Sequence, residues 1–524
     1  MLAAAATAGA ATMIVELAAV RLLAPWFGTS LPVWTNVLAV ILGGLALGYA
    51  LGGRWTRTRD PLALSACVLL VAAALAAALP WLARPVASAF MPEGGTLEGA
   101  RGLLAWGSFA ASATLYLPPA VALGIVQPLW LETLTRDGRA SGASTGALAC
   151  ASTLGSLAGC YASTHYLVPT LGLATTFHVA GAGLLVAGVA LAWLARRRIS
   201  RGVASACLFA ALVAQTSSLS RPVPPRGARE LAARETAYQF ARIVEDASTG
   251  YRYLQVNEGF DSFQSAWRDR PGPLGEGYYY DLFALPAWWS GRASGEWRVL
   301  VLGAGTDSVT RVLEGARPAG LELASTLVEI DERVAELGAE WMDAAPSERR
   351  RWLAGLDARA VLPLLPGPFD EIVIDAYANQ IEIPPHLCSR EFFEQVLERL
   401  APGGWLALNV GGFAFEDPVV AAVAATLAAA CGRPVLALRV PAARNFVLLA
   451  RRDAELPDAD RGDFRTAAGA PSELALLAGR LELPSSWRRI DASSALVLTD
   501  DRNPIEALQQ QSLAHARAER GGQP

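Results

Sequence analysis

Two glycines and three carboxylates lie near the ends of successive apolar runs in the second half of the chain. Gly303 and Gly305 follow RVLVL, Glu329 ends LASTLVE, Asp357 lies in LDAR, and Asp375 follows FDEIVI. Glycines let the backbone approach a ligand closely, and a carboxylate one strand on can accept hydrogen bonds from both hydroxyls of a ribose. The loop lacks a Walker lysine. Acids in place of bases favour an uncharged or cationic nucleoside, such as a sulfonium of the S-adenosylmethionine type.

A parallel sheet is the element that would bring these residues together. Between residues 297 and 450 we predict strands at RVLVLG, LASTLVEID, LDARAVL, FDEIVIDAY and GGWLALNV, and a helix at SREFFEQVLERL with Ser389 as N-cap. This alternation predicts an α/β Rossmann-like (class I methyltransferase-like) domain, which binds ligands at the carboxyl ends of its strands. YQFARIVED and YRYLQVNEG alternate apolar and polar residues and predict an N-terminal β-hairpin within 236–265. Residues 451–524 then form a C-terminal extension.

The first half of the chain has the composition of a membrane domain. Hydrophobic residues make up 53% of the chain and charged residues 18%, and residues 1–220 are nearly free of Asp and Glu. A spanning helix needs about 20 mostly apolar residues, which predicts an α-helical transmembrane bundle of about seven segments. These segments are 2–24, 33–53, 62–83, 103–131, 143–168, 171–195 and 203–219. Residues 221–235 are predicted to be a linker to the domain at 236–524.

Short arginine-rich loops indicate how the segments are oriented. RWTRTRD, TRDGR and RRRISR alternate with cation-poor loops, and arginine-rich short loops remain cytoplasmic. We therefore expect a multi-pass protein of the cell (inner) membrane with a cytoplasmic α/β domain, the seventh segment being re-entrant or lying on the surface. Glu16 and Arg21, inside the first segment, favour an interhelical ion pair or an arginine reaching the surface over a transport or lipid-headgroup site.

Other ligand classes are disfavoured. A net charge of −4 gives no indication of nucleic-acid binding. The six cysteines form no CxxC pair and the four histidines are scattered, so neither a disulfide framework nor a metal site is predicted.

Several motifs resemble the spermidine synthase (polyamine aminopropyltransferase) family. They are YLQVNEGFDS, VLVLGAGTDS, LVEID, LDAR and FDEIVIDAY, with LCSREFFEQVLERLAPGGWLALNV after them. This resemblance covers about residues 236–450. The stretch from VELAAVRLLAPWFG to LGGRW looks like the transmembrane part of bacterial membrane-fused spermidine synthase-like proteins.

The resemblance implies a role for each matching position. Gln239 would contact the nucleoside, Gly303 and Gly305 would form its loop, Glu329 would hold the ribose and Asp357 the adenine amine. Asp375 would be the catalytic acid beside the attacking amine, and Tyr278 or Tyr279 would assist it.

Two departures from the family pattern concern the residues that would bind the aminopropyl group and the acceptor amine. Thr306 stands where the loop of the family has an aspartate, and Ala378 replaces a second aspartate after Asp375. Asp307, one place beyond Thr306, is a candidate for the nucleoside site, with a plain helix N-cap as the alternative. The nucleoside end of the pattern is intact, whereas the identity of the acceptor amine is open.

The activity that the resemblance implies is membrane-bound aminopropyl transfer. Decarboxylated S-adenosylmethionine would be a co-substrate, with no permanently bound cofactor, and methylthioadenosine would leave. The expected partners are a small-molecule amine, which could be membrane-associated, and the lipid bilayer, and a homodimer is a further option. Two alternatives remain: an S-adenosylmethionine-dependent methyltransferase, and a catalytically inactive membrane sensor or transporter of polyamines.

Overall fold

The computed structural model describes most of the chain, in two compact units. The described residues are 1–27, 31–57, 60–90, 106–136, 142–195, 224, 227–236, 238–256, 263–378, 383–458, 462–465, 469–509 and 511–512. The first unit holds the helices up to Leu194 and the short segment Glu235–Gln239. The second holds most of the strands and the later helices.

Long apolar helices make up the first unit. They are α1 (Leu2–Phe27), α2 (Leu31–Trp55), α3 (Pro61–Phe90), α4 (Ser108–Arg136), α5 (Gly142–Ala162) and α6 (Leu173–Leu194), with a π-helical stretch at Ser163–Leu171. Within the described part of the chain, five helices are long and apolar enough to cross a membrane, and α5 is not among them. The sequence-based count of seven spans is therefore not confirmed, and the segment 203–219 lies outside the described residues.

Glycines set the spacing of the helix pairs in this unit. A side chain at Gly48 of α2 would collide with the backbone of α4 at Gly124, and one at Gly155 of α5 would collide with α1 at Ala6. Small residues at such positions let helix backbones approach closely. The contacts between α2 and α4 also bring their carboxyl ends together, because Arg136 donates to the carbonyl of Thr56 at 2.5 Å.

Arg21, near the end of α1, contacts the backbone of a turn in the same unit. Its Nη1 donates to the carbonyl oxygen of Thr236 at 2.9 Å. Thr236 in turn accepts the amide of Gln239 on its hydroxyl and donates its own amide to the carbonyl of Gln239, both at 2.9 Å. The helical unit therefore includes a closed turn that carries Gln239.

The second unit begins with a four-stranded sheet. Its strands, in spatial order, are β1 (Ala228–Glu235), β2 (Phe240–Asp246), β3 (Arg252–Val256) and β4 (Ser265–Trp267). β2 and β3 pair antiparallel across the turn at residues 247–251. β1 occupies the stretch that the sequence predicts to be a linker. Its many charged residues are typical of a linker, but they are also compatible with an edge strand, where charged side chains face water. They also form ion pairs with the neighbouring strand, as Arg229 does with Glu245 at 2.9 Å.

An eight-stranded sheet forms the centre of the second unit. Its strands are β5 (Gly295–Leu302), β6 (Leu321–Glu329), β7 (Arg350–Ala354), β8 (Phe369–Ile374), β9 (Leu400–Gly411), β10 (Val435–Arg439), β11 (Asn445–Arg451) and β12 (Trp487–Ile490). Their spatial order is β12-β10-β11-β9-β8-β5-β6-β7. The five strands from β7 to β9 pair in parallel, and β11 lies antiparallel to both β9 and β10. This is the predicted Rossmann-like arrangement.

Alternate residues of the strands enter two cores, one on each face of the sheet. Leu300 and Leu302 of β5 pack into one core, and Val299 and Val301 pack into the other. Helices cover both faces: α7 (Leu285–Trp289), α8 (Ser308–Ala316), α9 (Glu332–Trp341), α10 (Ala358–Val361), α11 (Arg390–Glu398), α12 (Pro418–Cys431) and α13 (Ser472–Arg480). From β5, the strands β6 and β7 follow towards one edge of the sheet, whereas β8 and β9 lie towards the other edge. The strand order therefore reverses between β5 and β8, and such sheets bind ligands at this switch point.

One predicted strand is a helix. The strand at this position is β7, which ends before LDARAVL, and that motif forms the short helix α10 instead. Asp357 caps it, because its Oδ1 accepts the amides of Arg359 and Ala360, each at 3.0 Å. An aspartate side chain that accepts the backbone amides two and three residues further along the chain stabilises the start of a helix, so this sequence favours a helix over a strand.

Candidate active site

The glycine loop passes over the end of β8 and reaches Glu329. Gly303 has φ = 85°, and a side chain there would lie 2.6 Å from the carbonyl oxygen of Asp375. The amide of Gly305 donates to Oε2 of Glu329 at 2.8 Å, and the amide of Asp331 donates to Oε1 at 3.0 Å. Each carboxylate oxygen keeps a second lone pair. Glu329 is thus oriented by the loop and can still accept hydrogen bonds from two hydroxyls.

The two residues after the loop glycines turn their side chains into the protein. The hydroxyl of Thr306 lies 2.7 Å from the sulfur of Met342 and is buried. Asp307 is the N-cap of α8: its carboxylate accepts from Thr310 and lies 3.0 Å from Nε of Arg350. The proposed nucleoside contact of Asp307 stays a prediction, although its carboxylate is already engaged by these partners.

Asp357 lies beside a histidine and an arginine. Its Oδ2 is 2.9 Å from Nε2 of His386. Arg359, two residues on, forms a bidentate pair with Asp500 at 2.7 and 2.5 Å. Asp500 belongs to the segment LTDDRNPIE at residues 498–506, and this pair places that segment next to Asp357.

Asp375 is the centre of a hydrogen-bond network at the end of β8. Its Oδ2 lies 3.0 Å from the hydroxyl of Tyr279, and its Oδ1 accepts from Nδ2 of Asn409 at 2.9 Å. The Tyr279 hydroxyl is also 3.0 Å from that of Tyr280, which itself donates to the carbonyl of Gln264. Tyr279 has one proton and two neighbouring acceptors, the hydroxyl of Tyr280 and the carboxylate of Asp375. Because a carboxylate is the stronger acceptor, the Tyr279 proton goes to Asp375.

The three tyrosines of GYYYD therefore differ in position. Tyr279 contacts Asp375, whereas the hydroxyl of Tyr278 pairs with that of Tyr253 at 2.9 Å. Tyr278 also packs in an aromatic cluster with Tyr251 and Phe263. The geometry favours Tyr279 over Tyr278 as the tyrosine beside the acid.

Burial gives the carboxylates of the site different proton affinities. Burial raises the pKa of Asp375 to about 7, although the hydrogen bonds from Asn409 and Tyr279 lower it. It likewise raises the pKa of Glu329 to about 7 against the amides of Asp331 and Gly305. The pKa of Asp357 lies below its usual value, because the amide of Ala360 and His386 outweigh its partial burial. Asp375 is thus a far stronger base than an exposed aspartate.

Sequence reasoning missed several residues around Asp375. Asn409 is a buried polar residue in the apolar run WLALNV, so its type alone could have revealed it. Tyr377 donates its hydroxyl to the carbonyl of Asn409 at 3.1 Å and accepts the amide of Gly411 at 2.9 Å. Asn445 donates to Oδ1 of Asn409 at 2.9 Å, a contact that depends on a cross-strand register which the sequence does not display.

Comparisons with known proteins show which proteins this chain is similar to. The chain is 27% identical over 310 residues to a "Probable polyamine aminopropyl transferase" of Bifidobacterium longum. It is 27% identical over 443 residues to the "Polyamine aminopropyltransferase" of Mycobacterium tuberculosis. The chain is similar to polyamine aminopropyltransferases. The resemblance inferred from its motifs is thereby confirmed.

The extent of these alignments differs. The alignment with the B. longum protein covers 55% of this chain and 66% of that protein, slightly less than two thirds of its length. The alignment with the polyamine aminopropyltransferase of M. tuberculosis covers 78% of this chain and 77% of that protein. Because residues 236–524 are only just over half of the chain, the second alignment must extend into the helical unit.

The chain was also compared with solved structures and with protein-family models. A probable spermidine synthase from Corynebacterium glutamicum superposes with a TM-score of 0.40 and 22% identity, covering 51% of this chain and 96% of that one. No protein-family model matches the chain.

Proposed function

We propose that this protein is a membrane-bound aminopropyltransferase. It transfers the aminopropyl group of decarboxylated S-adenosylmethionine to an amine and releases methylthioadenosine. The observation that carries the proposal is the Asp375 carboxylate, held by Tyr279 and Asn409 beside the loop that orients Glu329. The similarity to curated polyamine aminopropyltransferases supports it.

The reaction requires a base, because an alkylamine has a pKa of about 10.4 and is protonated at neutral pH. Asp375 takes one proton from the ammonium group of the acceptor. The freed lone pair attacks the carbon next to the sulfonium sulfur, the carbon–sulfur bond breaks, and its electrons leave with methylthioadenosine. A pKa near 7 makes Asp375 a better acceptor than an ordinary aspartate while it remains largely ionised above pH 7.

The other residues position the two substrates. Glu329 accepts the ribose hydroxyls, Asp357 accepts the adenine amine, and Gln239 makes a further nucleoside contact. Tyr279 keeps its proton, since burial and the charge of Asp375 raise its pKa well above the usual value. It therefore fixes one carboxylate oxygen by donating to it and leaves the remaining lone pairs for the acceptor amine. Holding both reactants in one orientation supplies a large part of the rate.

A methyltransferase is the second candidate, and the glycine loop is the observation that favours it. Thr306 is buried against Met342, and the carboxylate of Asp307 is occupied by Arg350 and Thr310. Neither residue offers a free carboxylate that would repel the carboxylate of ordinary S-adenosylmethionine. This donor would yield S-adenosylhomocysteine after methyl transfer.

Product analysis distinguishes the candidates. The purified full-length protein is incubated with each sulfonium donor and with diamines, triamines or lipids that carry an amine headgroup, and the products are identified by mass spectrometry. Methylthioadenosine together with an amine that has gained an aminopropyl group is expected. S-adenosylhomocysteine together with a methylated acceptor would replace the proposal with methyl transfer. Donor binding without any product would favour the inactive sensor or transporter.

A further inference from the structure

Asn445 reaches Asn409 because of the register between β9 and β11. Val447 lies opposite Asn409 and Asn445 lies opposite Gly411 in this antiparallel pair. Side chains of a strand alternate between faces, so Asn445, Gly411 and Asn409 share one face. Gly411 has no side chain, and the amide of Asn445 extends past it to Oδ1 of Asn409 at 2.9 Å.

Hydrogen-bond polarity fixes which end of the Asn409 amide faces Asp375. An ionised carboxylate only accepts hydrogen bonds, so Asn409 must present its Nδ2 to Asp375. Its Oδ1 then points the other way and needs a donor, which Asn445 supplies. The backbone on both sides is braced by the Tyr377 hydroxyl. Rotation of the amide by half a turn is therefore the motion that Asn445 can prevent.

We propose that Asn445 is a positioning residue for the transfer reaction, which holds the Asn409 amide in the orientation that donates to Asp375. The proposal rests on the proposed function in that it takes Asp375 as the base. An Asn409 amide turned the other way would place a carbonyl oxygen against Asp375 and would favour the protonated carboxyl. Asn445 thus keeps the base able to accept a proton, although its own hydrogen bond goes to Asn409.

The groups that face Asp375 define how the proposal can be measured. Tyr279 donates to it from the segment before α7, and Asn409 donates from β9. The phenols of Tyr280 and Tyr377 also face it, and its charge contributes to the raised pKa of each. These phenols stay protonated over the pH range in which the carboxyl titrates. Glu329 titrates in the same range, but it is common to wild type and variants, so a difference between their profiles reports on Asp375.

The first test is the pH profile of kcat/KM for Asn445→Leu, which keeps the size of the side chain and removes its donor. Loss of one hydrogen bond to a charged group corresponds to a shift of about one pH unit. We expect the acidic limb to move upward by about that amount, which lowers the rate about 5-fold at pH 7 and restores it near pH 9. Asn445→Ala, which admits a water donor, should shift less in the same direction and provides the measurement if the leucine variant does not fold.

A purely structural role predicts another result. Leu449→Ala removes a buried core side chain from the same strand, so it should reduce stability and leave the pH profile in place. If the Asn445 variants behave as this control does, with activity lowered equally at every pH, the proposal is overturned.

An infrared titration separates this proposal from the proposed function. The pH-dependent carboxyl signal of the full-length protein, with that of Asp375→Asn subtracted, gives the protonation of Asp375 without any turnover. An upward shift of this titration in Asn445→Leu supports the positioning role even if no aminopropyl product forms. An unchanged titration contradicts it even if the wild-type enzyme is active.

Discussion

At the scale of single residues, the proposed base Asp375 is a buried carboxyl group that receives two hydrogen bonds. Asp375 needs both features. Burial raises its proton affinity towards that of a useful base, while Asn409 and Tyr279 keep the ionised form available near neutral pH. Removing either feature would leave a carboxyl that is too weak a base or one that is permanently protonated.

Asp375→Asn keeps the shape of the side chain but cannot accept a proton. Positioned general bases contribute typically 10²–10⁴-fold, so we expect kcat to fall by about 10²-fold or more. Donor affinity should be nearly unchanged, since Glu329 and the loop carry it. Steady-state kinetics and calorimetry measure the two quantities. Asp501→Asn, an exposed aspartate, serves as the matched control, and wild-type turnover in Asp375→Asn would place the base elsewhere.

Glu329→Gln should weaken donor binding and remove its pH dependence. The ionised carboxylate accepts hydrogen bonds from hydroxyls better than an amide does, so the expected loss is about 2 kcal/mol. The pKa of Glu329 is about 7, so the protonated form dominates below this pH and wild-type affinity should rise as the pH increases from 6 to 8. Calorimetry at several pH values tests both effects. An equal affinity for wild type and variant at pH 8 would remove Glu329 from the site.

At the scale of elements, the central sheet contains a buried carboxyl outside the site. Glu371 of β8 is fully buried, accepts a hydrogen bond from the indole of Trp297 at 2.9 Å, and has its Oε1 without a partner among the described residues. Burial raises its pKa to about 8. The folded protein therefore keeps this group protonated at neutral pH, where the unfolded chain ionises it.

The sign of this effect on stability follows from proton binding. The folded state binds the proton more tightly, so the contribution of Glu371 to stability is full below about pH 4.5 and declines until about pH 8, by about 1.4 kcal/mol per pH unit. Glu371→Gln should remove this decline. Thermal unfolding of the detergent-solubilised protein between pH 6 and 8 should show a shallower slope for the variant, and Glu322→Gln at an exposed position should show the wild-type slope. Equal slopes for all three proteins would contradict the prediction.

Sequence patterns predicted the elements that rest on local signals and missed those that rest on pairing between distant segments. The apolar runs before Gly303 and Asp375 indicated β5 and β8, because buried parallel strands are continuously apolar. LDARAVL has a similar composition and yet forms a helix, since Asp357 caps the free amides that follow it. Asn445 could not be assigned a role from sequence, because its partner lies on another strand.

At the scale of the whole molecule, the arginines predict how the chain is oriented in a membrane. α2 ends at an arginine-rich loop, and α4 ends at Arg136, which donates to the carbonyl of Thr56 in the loop after α2. The two cationic ends therefore lie at the same end of the helical unit. The positive-inside rule assigns that end to the cytoplasm.

We predict that the second unit also faces the cytoplasm, because the stretch RRRISR after α6 is arginine-rich as well. A reporter that is active only in the cytoplasm, fused after Arg226, should give a signal, whereas a reporter that requires export should give none. Fusions after Phe90, at the far end of α3, should show the opposite result. A periplasmic signal after Arg226 would mean that the segment 203–219 spans the membrane, and the donor would then need a route across it.

The turn that Arg21 contacts also matters for the choice of a truncated fragment without the helices. Glu235–Gln239 groups with the helices, and the carbonyl of Thr236 is bound by α1. A truncated soluble enzyme that begins at β2 would lose Gln239, and one that begins at Glu235 would keep it on a turn without its arginine. A fragment cut away from the helices would thus lack a supported Gln239, the residue to which the family resemblance assigns a nucleoside contact.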